Sequence, residues 1–91
     1  MIFKEKDEWI VDVLNRYGNC AIGNNLLKKY GEENIIDSLR KLGFEHARIE
    51  KRKETKRTHA EIANGQEHAI GTAIIYTSQK VFEECEKTVK K

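Results

Sequence analysis

Four glycines, Gly18, Gly23, Gly31 and Gly43, close four apolar stretches in the first half of this 91-residue chain, and that punctuation limits its fold more than any other feature. Trp9, Ile10, Val13, Leu14 and Tyr17 fall at helical steps, with Asp7 placed to cap the stretch and Gly18 to stop it. After Asn19 an apolar run from Cys20 to Ile22 ends at Gly23. Asn24 is then expected to cap a brief second helix carrying Leu26, Leu27 and Tyr30 before Gly31. From Glu32 to Leu42 a third helix puts Ile35, Ile36, Leu39 and Leu42 on one side. It opens with two glutamates, which suit a helix N-terminus, and closes with Arg40, Lys41 and Gly43.

Beyond Phe44 the helical period weakens, and Asn64-Gly65 becomes the strongest local signal. This dipeptide readily takes the positive backbone angles of a two-residue hairpin turn, so a hairpin tip is expected there. The outgoing strand, Ala69 to Thr77, is rich in small and β-branched residues, and the incoming one, Glu45 to Ile62, is polar and charged. In that register His68 lies opposite Glu61 and His59 beside Ile70. A helix over Glu54 to Asn64 competes with the strand, since Ala60, Ile62 and Ala63 suit either. Ser78 then caps a last helix reaching Lys90, with Val81, Phe82, Cys85 and Val89 as its stripe.

Ninety-one residues accommodate one core, so residues 1–91 are expected to form a single α+β domain. The 17 basic and 15 acidic residues nearly balance, which excludes a polycation and makes any electrostatic site local. Cys20 and Cys85 lack the spacing of a metal finger or redox pair and read as free thiols. With neither a signal-peptide pattern nor an apolar span of membrane length, cytoplasmic residence is expected, for which a bacterial, archaeal or viral source would serve. His46, His59 and His68 are not at a zinc-ligand spacing, so neither a metal nor another cofactor is expected. No phosphate-binding loop, nucleophile elbow or paired carboxylate motif appears, and the chain does not read as an enzyme.

The order helix, short strand, helix, helix, strand, strand, helix resembles that of winged helix-turn-helix domains. So does the passage from Ala73 through Ile74, Ile75, Tyr76 and Thr77 into an amphipathic helix ending near Glu86. That resemblance implies a winged-helix fold with a long basic hairpin as its wing, and a small transcriptional regulator that binds double-stranded DNA. The residues from Arg48 to Arg57 carry a local charge of +4. Arg48, Lys51, Arg52, Lys53, Lys56 and Arg57, with His59, would follow phosphates along the wing. Asn34, Ser38, Arg40 and Lys41 would represent the third helix at the DNA. A homodimer through the stripe of the C-terminal helix is also expected.

The third helix departs from a usual recognition helix. Glu32, Glu33 and Asp37 would bring carboxylates to phosphates, and Glu32, Glu33 and Asn34 separate Gly31 from the first apolar residue. These features suit a second reading, a protein-binding module such as a small viral or mobile-element inhibitor that docks on a host enzyme through acidic helix three.

Overall fold

A left-handed glycine ends the first helix, as the sequence predicts. In the computed structural model, which describes residues 2–52 and 56–89, α1 (Trp9–Tyr17) stops at Gly18 with φ +85°. Then follow β1 (Asn19–Ile22), α2 (Asn24–Tyr30) and α3 (Glu32–Lys41). The last turn of α3 unwinds through Gly43 at φ +108°, where the Gly43 amide donates to Arg40 O and that of Phe44 to Leu39 O. These two bonds satisfy carbonyls that a helix end otherwise leaves orphaned. After β2 (Arg48–Lys51) come α4 (His59–Ala63), β3 (Ala73–Tyr76) and α5 (Gln79–Val89). The described residues thus form a small α+β domain with five helices and one three-stranded antiparallel sheet.

The strand order is β1-β3-β2, so β3 is central. Tyr76 lies between Asn19 and Arg48, and Ala73 between Ile22 and Lys51. All four β3 residues are buried because successive side chains point to opposite faces, and both faces are covered. Ala73 and Ile75 join the main core of Ile10, Leu14, Ile22, Ile35 and Leu39 from the helices and β1. Ile74 and Tyr76 meet Val81 and Phe82 of α5 on the other side. Tyr76 and Phe82 pack edge to face, 5.0 Å between centroids.

Two helix starts differ from expectation. Asp7 does not cap α1, whose N-cap position is Glu8. Instead Asp7 is buried in a short 3-10 turn (Glu5–Asp7) and accepts from Lys29 Nζ at 2.8 Å and from the Tyr30 hydroxyl. The α2 N-cap is Gly23, and Asn24 turns its side-chain oxygen to the Thr72 hydroxyl at 2.9 Å. Ser78 does cap α5, accepting from the Val81 amide at 3.2 Å.

The hairpin with its tip at Asn64-Gly65 does not form. Strand pairing ends at Lys51 and Ala73, and the helical alternative holds for His59–Ala63. Thr58 and Glu61 close a capping box at its start, each side chain accepting from the other's amide. Asn64 and Gly65 terminate it. Gly65 takes φ +72° and donates to Ile62 O, while Gln66 donates to Glu61 O, the paired bonds of a glycine helix stop. The expected pairings of His68 with Glu61 and His59 with Ile70 are therefore replaced. Residues 56–72 return across the body so that α4 packs on α1 and β1, and among the described residues no long hairpin projects.

Candidate nucleic-acid interface

The basic run that the sequence places on a projecting wing is turned inward at Arg52 and Lys56. The Arg52 amide extends strand pairing by one bond, to Thr72 O at 3.0 Å, and its side chain then enters the body. Its guanidinium grips Glu61 through two nitrogens, at 2.8 and 3.1 Å, and the two side chains are only 3% and 7% exposed. Glu61 also accepts from the Thr58 amide at 2.8 Å, the Thr58 hydroxyl at 3.2 Å and the Ile70 amide at 3.1 Å. Burial pushes the Glu61 carboxyl up. Arg52 and the two amides pull harder, and it ends below the ordinary glutamate value.

Lys56 is buried with its ammonium 4.1 Å from the Phe82 centroid and 4.9 Å from that of Tyr76. Arg57 donates to Gln66 O at 2.6 Å. The His59 amide donates to Asn19 Oδ1 at 3.0 Å, and its ring Nδ1 lies 3.2 Å from both Asn19 Nδ2 and Tyr17 O. These groups fasten the 56–72 connection to the sheet and to α1. Lys53 lies outside the described residues.

Arg48 and Lys51 stay nearer the surface on β2. Lys51 is exposed, and Arg48 spans Glu50 at 2.7 Å and the Gln79 side chain, with its guanidinium 4.6 Å from the Phe82 centroid. Of the α3 candidates, Ser38 is buried and accepts from the Ile2 amide at 3.2 Å, so it serves the N-terminal segment. Asn34 is exposed, its amide donating to Tyr30 O at 2.9 Å. Arg40 and Lys41 are exposed in the last turn, and Glu32, Glu33 and Asp37 are exposed nearer its start.

The fold gathers basic side chains from three distant parts of the chain, Arg40 and Arg48 among them. Arg40 ends α3, His46 and Arg48 lie at the entry to β2, and Lys80 begins α5. They line a 520 Å³ depression with Gln79 and with Glu45 as the acid on its wall. The start of α5 adds the positive end of a helix to these side chains. The sequence assigns Lys80 no binding role, and His46 figures there only among the three histidines that lack zinc-ligand spacing. The available signal was the helix cap at Ser78 with lysine two residues on, but its proximity to Arg40 depends on the strand order.

The buried Cys20 thiol is pushed up to about 12, by burial first and then by the charge of Glu61, which leaves it protonated and unreactive at neutral pH. Among the described residues no group of three or more His, Cys, Asp or Glu side chains is placed to hold a metal, and no helix is long and apolar enough to cross a membrane. Comparison with protein-family models, curated proteins and solved structures finds no match to this chain.

Proposed function

We propose that the chain is a small winged-helix-type regulator that binds double-stranded DNA, gripping phosphates at the junction of α3, β2 and α5. The observation that carries this reading is the convergence of Arg40, His46, Arg48 and Lys80 on one depression, with Lys41 exposed beside Arg40 in the same helix turn. Arg40, Lys41 and Lys80 are exposed, and Arg48 presents a guanidinium held in place by Glu50 and Gln79. Fixed guanidinium groups suit phosphate because their fork matches its oxygens. The succession α1, β1, α2, α3, β2 supports the reading, although α4 stands between β2 and β3 and the basic connection lies against the body in place of a free wing. On this reading the C-terminal turn of α3 approaches the backbone, which keeps Glu32 and Glu33 away from the phosphates.

Fluorescence anisotropy with a labelled random duplex tests it. Contacts to about four phosphates give a slope of log affinity on log salt of about −4. The combined variant Arg40→Glu, Lys41→Glu, Lys80→Glu should lose at least about a hundredfold in affinity, roughly 1 kcal/mol per reversed charge. Duplex affinity unchanged in that folded variant would overturn the assignment. It would favour the second reading, a protein-binding module, which the exposed Glu32, Glu33 and Asp37 of α3 support.

A further inference from the structure

A second surface has no part in phosphate binding. Trp9 and Ile70 are large apolar side chains left 43% and 57% exposed, and they flank one groove. Val13 of α1, Ala21 of β1 and Ala60 of α4 continue its lining, so it lies where α4 packs beside α1 and β1. The groove has a volume of 180 Å³. A dry apolar cavity of about 150 Å³ is large enough for a benzene ring, so one bulky apolar side chain fits.

Charge along α1 says what covers it. Trp9, Asp12, Val13 and Arg16 share one stripe at helical spacing, and of these Trp9, Asp12 and Arg16 are exposed. The acidic Glu8 lies just before the stripe, Asp12 near its middle and the basic Arg16 toward its end. Reversed, it sets Arg16 against the acidic start of its copy, where each Arg16 also reaches the Asp12 carboxylates that approach each other at the centre and offsets their repulsion. We propose that two copies of the chain pair through this surface, with their α1 helices antiparallel about a two-fold axis near Asp12 and Val13. Arg16 of each copy then lies beside Glu8 and over the indole of Trp9 in the other, while the apolar flanks cover both grooves. An isologous contact repeats every interaction twice, which doubles the effect of each substitution. This pairing is independent of DNA and of the α3, β2 and α5 depression.

Trp9 is the only tryptophan, so its emission reports the contact directly. Sedimentation equilibrium and tryptophan fluorescence without DNA, from about 1 μM to about 500 μM protein, should show a monomer passing to a dimer as the emission shifts to the blue. Ile70→Asp replaces an exposed side chain and should remain monomeric throughout with an unchanged circular dichroism spectrum. Arg16→Glu should weaken pairing at least about tenfold, and adding Glu8→Lys to it should restore affinity to within about threefold of the parent. A parent chain that stays monomeric at the highest concentration overturns the proposal. A dimer indifferent to Ile70→Asp, or an Arg16→Glu defect that Glu8→Lys does not repair, overturns it equally.

Discussion

Glu61 carries a charge in the interior because every side of its carboxylate is occupied. Arg52 supplies the countercharge, and Thr58 and Ile70 supply further donors, so three separate stretches of chain meet at two oxygens. Removing one member of a buried ion pair strands the other, at a cost of about 3–5 kcal/mol. That is a large part of the roughly 5–15 kcal/mol by which a domain is stable. Because the folded carboxyl titrates below the ordinary glutamate value, its contribution is present above about pH 4.3. It is lost as pH falls through the lowered folded value. Asp7, held below the ordinary aspartate value by its hydrogen bond from Lys29 and then by that from Tyr30, acts with the same sign. Glu61→Gln should therefore lower stability by about 3 kcal/mol at pH 7 in urea denaturation, and the gap from the parent should narrow at about pH 3. An equal gap at both pH values would show that shape, not charge, sets the effect.

At the scale of elements, Gly18, Gly31 and Gly43 are legible because each follows a stripe long enough to demand a helix. Asn64-Gly65 is ambiguous by nature, since a positive φ at glycine serves a hairpin tip and a helix stop alike. The difference lies six residues upstream, in the Thr58 and Glu61 capping box, and in partners for Glu61 that only the fold supplies. The inward turn of Arg52 and Lys56 is hidden for the same reason. A run of six cations reads as solvated until one acid, Glu61, and two aromatic rings, Tyr76 and Phe82, are known to face it. The α5 stripe is legible at Val81 and Phe82, which pack on Tyr76; the side chains of Cys85 and Val89, and with them the expected dimer along that stripe, lie outside those described.

The return of the connection to the sheet depends on Gly71, whose φ is +87° and whose backbone runs against β1. A Cβ there would come 2.7 Å from the Ile22 carbonyl oxygen. Gly71→Ala should cost about 2 kcal/mol or more, from the left-handed conformation and the displacement of β1. Gly23→Ala meets no atom within 4 Å at φ −94° and should change stability by less than about 0.5 kcal/mol. Urea midpoints of the two variants check the contrast, which disappears if the connection does not lie against β1.

Across the whole molecule, basic residues divide into those that hold the domain together and those that face solvent, a division unrelated to their density in sequence. Arg52 and Lys56 sit in the densest basic stretch yet are buried against Glu61 and against Tyr76 and Phe82. Arg40 and Lys80 lie outside that stretch and far apart in sequence but share one depression. Charge reversal should separate the two groups. Arg52→Glu sets a second carboxylate against Glu61 in the interior, and Lys56→Glu turns an attraction to two ring faces into repulsion. Each should lower stability by about 3 kcal/mol or more, enough to lower the midpoint of thermal unfolding by at least about 10 °C. Arg40→Glu and Lys80→Glu, on exposed positions, should leave that midpoint within about 3 °C and act on duplex affinity alone. Thermal melts and anisotropy on the same four single variants decide the matter. If Arg52→Glu and Lys56→Glu melt like the parent and lose duplex binding, the basic run works as an exposed wing and its inward fastening is refuted.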